Sequence, residues 1–473
     1  MNYKSILFFL GIYFLLVSFL SFLNILYSIY FDFNLDLNSY IITLIVSLTV
    51  GILFYLIGRK YSKNISIIDQ IVLIILTFIF IPLLISIPFF LSIYDINFLN
   101  SYFESLSGFT ATGFSIINNI EIIDEPLLLW RSSSQWLGGL FFLIAIVGTL
   151  GTKQVKIKPA YLLHSLNLSG NFYSNFNYNF IKVLLIYFFT TIFVIFLYTL
   201  SDIRLLDAFN LAFTTISSGG FLTTNNLSNI VNNNLQIFVL SITLLFPILN
   251  FYLFFKIFSK QFKVFDHQED IHLIIIIILL SVFFYFFIIP NEGIFSILLA
   301  VISSISTSGV TTYASNHDVS LFFILLTIVG GSLVSTSSGF KYIRLYILFK
   351  ISYQEIYRLV KPINIFNRNL FVSQSKIEDE DLKIAFLVFI SFIIAIFVLS
   401  AILTLDNLSF EDSFKLSILT LTNTVTSALY GMENLSFFDL NNFTKVALMI
   451  FMVFGKIEII TVLLLVKKFI FKG

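Results

Sequence analysis

The sequence has 473 residues, of which 58% are hydrophobic and only 11% are charged, and it contains no cysteine. A soluble domain is usually about 45–50% apolar and about 25% charged, so a polar surface cannot enclose this composition. The protein is therefore predicted to lie in a membrane, and disulfides, thiolate metal sites and cysteine nucleophiles are excluded. The formal net charge is only +1, from 27 basic and 26 acidic residues.

Long apolar runs follow one another along the chain, and each is long enough to cross a bilayer, which takes about 20 residues. The first begins near Ser5 and has no small-residue cleavage site behind it, so it is predicted to be retained as a span. The runs cover about 5–30, 38–58, 69–94, 127–150, 178–200, 233–258, 271–290, 319–349, 383–405 and 441–468. The predicted fold class is an all-α polytopic membrane protein with ten transmembrane helices.

Shorter segments of mixed polarity lie between alternate pairs of these runs and resemble one another. Each is predicted to form a short helix that ends in small residues, and their cores are FESLSGFTATGFS (103–115), AFTTISSGGFLTT (212–224), AVISSISTSGVTT (300–312) and LTLTNTVTSALYG (419–431). This pattern predicts a fourfold repeat of span, half-span, small-residue loop and span. The predicted organisation is two additional N-terminal helices over 1–64, followed by repeats over 65–160, 161–262, 263–375 and 376–473.

The charges are distributed unequally across the predicted membrane. Most basic residues, among them Lys60, Lys341 and Lys467, fall on the side of the N-terminus, which the positive-inside rule assigns to the cytoplasm. Both termini are therefore predicted to be cytoplasmic, and the loops that follow the half-spans to face the outside. Acidic residues such as Glu104 and Asp207 gather on that outer side, so a cation is expected to meet an acidic vestibule.

The small-residue loops suggest a cation pathway. Non-helical backbone at membrane depth is tolerated only where it is buried in protein or lines a water-filled cavity. Converging loops would present a ring of backbone carbonyls, the groups that replace the hydration shell of a potassium ion. Glycine permits the positive φ that such a turn needs, and Gly113, Gly220 and Gly309 occupy corresponding places. The alternative is that these loops are ordinary turns between spans.

Two features outside these loops also point to a pathway. The eighth run contains GGSLVSTSSG (330–339), which is poor in helix formers and predicts a broken helix that gates the path from within. Its alternative is close packing of small residues between helices. The tenth run carries Lys456 two residues before Glu458, a spacing that does not bring the two side chains together on a helix. Lys456 is therefore predicted to face the pore or a polar loop, or else to reach toward a membrane interface.

Four segments of the chain resemble the Trk/Ktr/HKT superfamily of cation transporters, most closely the TrkH type of bacterial potassium uptake proteins. They are FESLSGFTATGFS (103–115), WRSSSQWLGG (130–139), GGSLVSTSSGFKYIR (330–344) and GKIEIITVLLL (455–465). The resemblance implies membrane-pore-membrane repeats around a pseudo-fourfold pore, with K⁺ held by filter carbonyls. The implied filter residues are Thr110, Ala111, Thr112, Gly113, Ser217, Ser218, Gly219, Gly220, Ser306, Thr307, Ser308, Gly309, Asn423, Thr424, Val425 and Thr426. The gate residues are Gly330, Gly331, Ser335, Thr336, Ser337, Ser338, Gly339 and Lys456.

The resemblance also implies a function and partners. The function is channel-like potassium uptake across a bacterial cytoplasmic membrane, by a homodimer that a cytosolic TrkA-like nucleotide-binding ring regulates. The basic inner stretch 341–368 is the expected docking site for such a ring. The chain itself has no nucleotide-binding motif, and the expectation is no cofactor, no nucleic acid partner and only K⁺ as a transported ion.

Rival functions follow from departures and from the repeat symmetry. The fourth filter stretch has Thr426, or Ser427 under a shift of one residue, where the family usually keeps glycine. Because a β-branched residue resists positive φ, a sodium or mixed Na⁺/K⁺ conductor is the nearest alternative. An ion-coupled secondary carrier and a non-conducting subunit with the same fold are the others. No cluster of catalytic acid, base and nucleophile is present, so an enzyme is not predicted.

Overall fold

The computed structural model describes residues 3–61, 67–150, 176–258, 267–313, 317–361, 377, 379–406, 408–433 and 435–457. These residues contain no strand, which agrees with the predicted all-α class. The helices are α1 (Tyr3–Tyr30), α2 (Leu37–Gly58), α3 (Ile67–Leu91), α4 (Phe98–Phe109), α5 (Glu125–Leu150), α6 (Phe176–Leu200), α7 (Leu205–Ser217), α8 (Asn234–Thr243), α9 (Phe251–Phe258), α10 (Gln268–Phe283), α11 (Ile294–Ile305), α12 (His317–Val329), α13 (Tyr342–Val360), α14 (Asp379–Thr404), α15 (Phe410–Leu421) and α16 (Asn442–Ile457).

The described part of the chain contains six helices long and apolar enough to cross a membrane. They are α1, α2 with the turn that follows it, α3, α6, α10 with its terminal π turn, and α14. Many of their apolar side chains, such as Phe196, Leu279 and Phe397, are exposed on the surface of the bundle. In a water-soluble protein such large apolar patches would drive association, whereas in a bilayer they contact lipid. The chain is thus a multi-pass membrane protein, as its composition predicts.

The first two helices form a tight antiparallel pair because glycines allow their backbones to touch. A Cβ atom added at Gly11 would lie 2.6 Å from the backbone nitrogen of Tyr55, and one at Gly58 would lie 2.5 Å from the carbonyl oxygen of Lys4. Small residues of this kind are the usual means of close helix packing in membranes. The pair packs on α3 and α5, where the Asn24 side chain donates a hydrogen bond of 3.0 Å to the carbonyl of Pro126.

Each of the four segments of mixed polarity forms a short helix, namely α4, α7, α11 and α15. Two of them begin with a side-chain cap that accepts a hydrogen bond from a free backbone N–H. Asn97 Oδ1 accepts from Asn100 N at 2.9 Å, and Ser409 Oγ accepts from Asp412 N at 3.1 Å. Almost every residue in the second half of each helix is buried. The small residues that follow lead into reversals at 110–113, 217–220, 306–309 and 422–425, which we call central loops 1 to 4.

Two of the predicted runs are broken helices. The eighth is interrupted between α12 and α13, at the predicted stretch 330–339, and we call residues 330–341 the inner segment. The sixth, predicted as continuous over 233–258, is also interrupted, between α8 and α9. Pro247 lies in that interruption, where its missing N–H removes one helical hydrogen bond and its ring disfavours a continuous helix. The last part of the tenth run, from 458 onward, lies outside the described residues.

Candidate functional site

The four central loops share one backbone turn. In each, a backbone N–H reaches back to the carbonyl five residues earlier, at 2.8–3.1 Å, and the residue before that N–H has a positive φ of 49–63°. The donors are Thr112, Gly219, Ser308 and Thr424, and the positive-φ residues are Ala111, Ser218, Thr307 and Asn423. Positive φ is uncommon for residues other than glycine, so its recurrence at four matching positions marks a shared, structurally required turn.

This pattern also sets the register of the fourth loop. The stretches that correspond to 110–113 are 217–220, 306–309 and 422–425, so the fourth begins at Thr422, one residue before the predicted Asn423. Val425 therefore takes the position of the three glycines, and Thr426 lies one residue beyond it. Asn423 explains the shift, because asparagine tolerates the left-handed conformation that this position requires.

The side chain of Val425 lies among the three corresponding glycines. A Cβ atom added at Gly113 would lie 3.0 Å from Val425 Cβ, and one added at Gly220 or Gly309 would lie 2.6 or 2.7 Å from Val425 Cγ1. The four loops therefore meet around one isopropyl group. Gly113 and Gly309 have φ of 80° and 68°, whereas Gly220 and Val425 are not among the positive-φ residues. Around this junction, the positive φ of loops 1 and 3 therefore alternates with the other backbone conformation of loops 2 and 4.

The central loops leave buried carbonyl groups without partners. The carbonyl oxygens of 110–113, 217–220, 307–309 and 424–425 accept no hydrogen bond from any described residue. Most of these residues are nevertheless buried, Thr110 and Ser308 completely. Buried backbone carbonyls are nearly always paired with protein, water or an ion. These unpaired carbonyl oxygens are therefore expected to bind water molecules or a cation.

A wide cavity opens on one side of the loops. Its volume is about 500 Å³, and the loops contribute Gly113, Gly220, Gly309 and Val425 to its lining. The rest of the lining is mostly apolar and neutral polar, including Asn118, Asn225 and Ser436, and its two charged residues are Arg131 and Glu433, which have opposite signs. The predicted acidic vestibule is therefore a neutral polar one over the residues that the structure describes.

Behind the first loop lies a buried ion pair. Arg131 Nε and Glu104 Oε1 are 2.9 Å apart, and both side chains are almost fully buried. Glu104 also accepts a hydrogen bond of 2.8 Å from the backbone N–H of Ile116, and Arg131 stacks 4.2 Å from the ring centre of Phe221. The pair thus fixes the chain that leaves loop 1 against the chain that leaves loop 2. A buried pair can hold such a geometry even where its net contribution to stability is small.

The inner segment lies against the loops on the face opposite the cavity. The Thr336 hydroxyl donates a hydrogen bond of 2.8 Å to the carbonyl of Ile216, and the backbone N–H of Ser338 donates one of 3.0 Å to Thr307 Oγ1. These partners stand at the beginning of loops 2 and 3, whereas the residues that line the cavity stand at their ends. The structure thus brings the predicted gate residues directly beneath the predicted filter residues.

Two lysines hold the inner segment in place. Lys456 Nζ donates to the carbonyl of Thr336 at 3.2 Å and to Ser338 Oγ at 3.3 Å. Lys341 Nζ donates to the carbonyls of Ser335 at 3.2 Å and Ser337 at 2.5 Å. Both ammonium groups also lie over the ring of Phe142, at 4.9 and 5.7 Å from its centre.

Sequence reasoning placed Lys456 correctly beside a polar loop but missed Lys341. The charge pattern predicts only that Lys341 is one of the inner basic residues, whereas the structure shows it 2% exposed and hydrogen-bonded to the inner segment. The signal available was its position directly after a stretch that cannot form a helix. Its own φ of 77° turns the backbone so that its side chain folds back on residues 335–337.

The glycines of the inner segment are needed for close approach. A Cβ at Gly331 would lie 2.6 Å from the carbonyl oxygen of Ile248, and one at Gly339 would lie 2.7 Å from that of Thr327. The second interruption, around Pro247, interlocks with the segment. Ser332 N donates to the Ile248 carbonyl at 2.8 Å, and Phe251 N donates to the carbonyl of Val334 at 2.7 Å. Two broken helices thus satisfy each other's backbone, which is the condition for non-helical chain at membrane depth.

No family model matches the chain. By sequence it is 27% identical to an uncharacterized cation transporter of Methanocaldococcus jannaschii, over 94% of this chain and 91% of the relative. It is 25% identical to the Trk system potassium uptake protein TrkG and 23% to TrkH, both of Escherichia coli K12, over 93% and 89% of this chain and 92% and 90% of the relatives. The crystal structure of the potassium transporter TrkH from Vibrio parahaemolyticus matches with a TM-score of 0.84, at 22% identity, over 98% of both chains.

The chain has the TrkH fold. Its relatives are TrkH and TrkG potassium uptake proteins and a cation transporter, in line with the Trk/Ktr/HKT superfamily, so the predicted resemblance is confirmed. These relatives are transporters rather than enzymes, which agrees with the prediction of a non-enzymatic protein.

Proposed function

We propose that this TrkH-like protein takes up potassium across the cytoplasmic membrane by a channel-like mechanism. The observation that carries the proposal is the set of buried, unpartnered carbonyls on four loops that have the same turn. A ring of carbonyl oxygens is the group that replaces the hydration shell of K⁺. Potassium uptake by relatives that match over about nine-tenths of their length supports the same reading.

The short helices strengthen the attraction for a cation. α4, α7, α11 and α15 all end at the central loops, so their C-terminal ends point toward the same place. Each end carries a partial negative charge from free carbonyls, an effect worth about 0.3–1 kcal/mol for a nearby charge. The filter is proposed to comprise 110–113, 217–220, 306–309 and 422–425. In this proposal the chain carries the four membrane-pore-membrane repeats and ten spans of the TrkH type.

The inner segment is the proposed gate, because it lies directly beneath the filter and is fixed by polar contacts in addition to the apolar packing of Leu333 and Val334. Opening requires that Thr336 leaves the Ile216 carbonyl and that Lys341 and Lys456 release the carbonyls they bind. Inward movement of K⁺ is driven by the membrane potential, which supplies about 2.3 kcal/mol per elementary charge at 100 mV.

A sodium or mixed Na⁺/K⁺ conductor is the second candidate, and Val425 favours it. Where a glycine would leave open space, its side chain narrows the opening between Gly113, Gly220 and Gly309. A narrower or displaced ring changes the balance between ions of different size. This candidate keeps the pathway and changes only the ion that passes.

Uptake of ⁸⁶Rb⁺ into proteoliposomes under an inside-negative potential tests the function, and reversal potentials in K⁺ and Na⁺ gradients separate the two candidates. The Gly113→Asp variant is expected to abolish uptake, because a side chain there enters the loop junction. Gly293→Asp is the matched control, since a side chain at Gly293 meets only Ser296 Oγ at 3.8 Å. Uptake that Gly113→Asp leaves unchanged would reject the filter assignment.

The assembly is proposed on the TrkH pattern as well. Both termini face the cytoplasm of a bacterial inner membrane, and the protein forms a homodimer that a TrkA-like ring contacts at the inner basic stretch. Residues 362–368 of that stretch lie outside the described residues. Accessibility of single cysteines introduced at both termini tests the orientation, since the chain has no native cysteine.

A further inference from the structure

A polar cluster lies at the outer end of the N-terminal helix pair, away from the proposed filter. Asn24 on α1, and Asp36 and Tyr40 at the start of α2, are 2%, 3% and 0% exposed. They meet the chain that follows α3, where Ile93 N donates to Asp36 Oδ1 at 3.1 Å. They also meet the first turn of α5, where Asn24 Nδ2 donates to the Pro126 carbonyl at 3.0 Å.

Asp124, directly before α5, is the fourth member of this cluster, and each member has one oxygen atom without a partner. Among the described residues, Asn24 Oδ1, Asp36 Oδ2, Tyr40 OH and Asp124 Oδ1 are buried without a hydrogen bond of normal geometry, and the Tyr40 hydroxyl lies next to the Asn24 side chain. The opposite ends of Asn24 and Asp36 are already fixed, on the Pro126 carbonyl and on the Ile93 N–H. Asp36 and Asp124 lie close enough to act electrostatically on each other and on Tyr40, so the free oxygens belong to one compact cluster. A buried oxygen without a partner is rare, and four in one cluster indicate a missing ligand.

The cluster carries uncompensated negative charge. Burial raises the pKa of Asp36, and burial together with the charge of Asp36 raises the pKa of Asp124 to about 6. No described lysine or arginine forms an ion pair with either carboxylate. The neighbouring Glu125 is different, because it pairs with Arg204 and accepts a hydrogen bond of 2.7 Å from Tyr27. Among the described residues, no side chain plays for Asp36 and Asp124 the part that Arg204 plays for Glu125.

We propose that Asn24, Asp36, Tyr40 and Asp124 bind a hard divalent cation of the Ca²⁺ class. Two carboxylates, an amide oxygen and a hydroxyl are the oxygen ligands that Ca²⁺ accepts, and water completes its coordination of six to eight. Two carboxylates match the charge of a divalent ion better than that of K⁺ or Na⁺. The ligands come from α1, α2 and the chain before α5, so they are not held in the strict octahedron that Mg²⁺ demands.

Binding at this place would join the N-terminal helix pair to the first repeat. Asp124 follows the segment 115–120, which includes Ser115 and Ile120 in the lining of the 500 Å³ cavity. Tyr94 links the two, because its hydroxyl accepts from Asp124 N at 2.9 Å and donates to the Ile122 carbonyl at 3.3 Å. The site thus stabilises the wall of the cavity from behind and takes no part in conduction.

The test is thermal unfolding of the purified full-length protein after chelation, with and without millimolar CaCl₂. Ca²⁺ is expected to raise the Tm of the wild type, because a ligand that binds only the folded state stabilises it. Asp36→Asn and Asp124→Asn are each expected to weaken Ca²⁺ binding at least tenfold and to remove the shift. Asp95→Asn is the matched control, because Asp95 is an exposed carboxylate of the same outer region, and it should keep the shift.

Each variant is compared with its own Ca²⁺-free state, so a general loss of stability does not obscure the result. Calorimetric titration with Ca²⁺ should give about one ion per chain for the wild type and none for Asp36→Asn. A wild type whose Tm does not change with Ca²⁺ would overturn the proposal, and so would equal shifts in the wild type and both variants. Stability that responds to pH near 6 but not to Ca²⁺ would assign the cluster to a shared proton and overturn it as well.

Discussion

Replacing Lys456 by methionine is the most direct test of the proposed gate. The substitution keeps the length and the apolar stem of the side chain and removes only the ammonium group. That group is buried, 1% exposed, and makes two hydrogen bonds to the inner segment, at 3.2 and 3.3 Å. Without it the carbonyl of Thr336 loses a charged donor, and Lys341 remains as the one of the two ammonium groups that still contacts the segment.

The size of the effect follows from these contacts. Hydrogen bonds to charged groups contribute about 1.5–3 kcal/mol each, and these two are longer than the usual 2.9–3.0 Å, so about 1.5 kcal/mol each is appropriate. Part of that is offset because Lys341 and Lys456 share the ring of Phe142 and repel each other. A net loss of about 2 kcal/mol corresponds to a roughly 30-fold shift of the equilibrium toward the open segment.

The assay is initial ⁸⁶Rb⁺ uptake into proteoliposomes at fixed protein density, with single-channel recording to separate open probability from conductance. Lys456→Met should raise open probability and leave the conductance of the open pore nearly unchanged. The matched control is Lys445→Met, on the same helix α16. Its ammonium group also makes two buried contacts, to Asn100 Oδ1 at 3.0 Å and to the Phe438 carbonyl at 2.8 Å, but none to the inner segment.

Unchanged or lower uptake by Lys456→Met, with the protein folded in the membrane, would refute the gate assignment. An increase shown equally by Lys445→Met would also refute it, because the effect would then reflect loosening of α16 and not release of the segment. Lys456→Arg should restore a low open probability, since a charged donor is again present.

Further expectations use the same preparations. Lys341→Met should raise open probability more than Lys456→Met does, because Lys341 makes the shorter contacts, and an effect smaller than that of Lys456→Met in the same recordings would contradict this. Val425→Gly should shift the reversal potential toward that of K⁺, whereas Thr426→Gly, one residue beyond the corresponding position, should not. Gly113→Ala should lower the Tm, and adding Val425→Gly should recover part of the loss, because Val425 Cβ lies 3.0 Å from the new methyl group while the strain of φ +80° remains. In Ca²⁺-free buffer the raised pKa of Asp124 predicts stability that is highest below about pH 4 and is lost as pH rises through about 6, and Asp124→Asn should flatten this dependence in thermal unfolding.

The sequence alone was sufficient for the elements that depend on hydrophobic pattern. The first two runs form long helices, α1 and α2, with ends within a few residues of the prediction, because apolar length is set by the bilayer. The short helices were also predictable, since each begins after a polar connection and ends in small residues. The interruption of the eighth run followed from its glycine and serine content.

What could not be predicted depends on contacts between distant segments. The register of loop 4 is set by the turn at Asn423, whose side chain donates to Thr112 Oγ1 at 2.9 Å and to the Met452 carbonyl at 2.9 Å. Those partners are more than three hundred residues and about thirty residues away. Short motifs contain no information on these distant partners, so the sequence alone predicts that Thr426, and not Val425, replaces the fourth glycine.

The second interruption was missed for a related reason. Pro247 was visible in the sequence, but a proline inside an apolar run also fits a continuous kinked helix, such as α3 with Pro82 and Pro88. Whether the chain kinks or unwinds depends on what satisfies the freed backbone groups. Here the backbone of the inner segment does so, through Ser332 and Ser337. In α3, single side chains do so instead: Tyr102 OH donates to the Ile79 carbonyl at 3.3 Å, and Trp130 Nε1 donates to the Ile85 carbonyl at 3.0 Å.

The two lysines beneath the filter have a consequence for how the pathway closes. A buried ammonium group next to a potassium pathway repels the ion, so Lys341 and Lys456 would oppose conduction if they stayed where they are. In the structure each ammonium group instead donates hydrogen bonds to backbone carbonyls of the inner segment, at Ser335, Thr336 and Ser337. In the proposed gate, the closed segment would block the path twice, by its bulk and by the charges held there. Its opening would remove the segment and redirect both ammonium groups together, through polar contacts that can exchange with water.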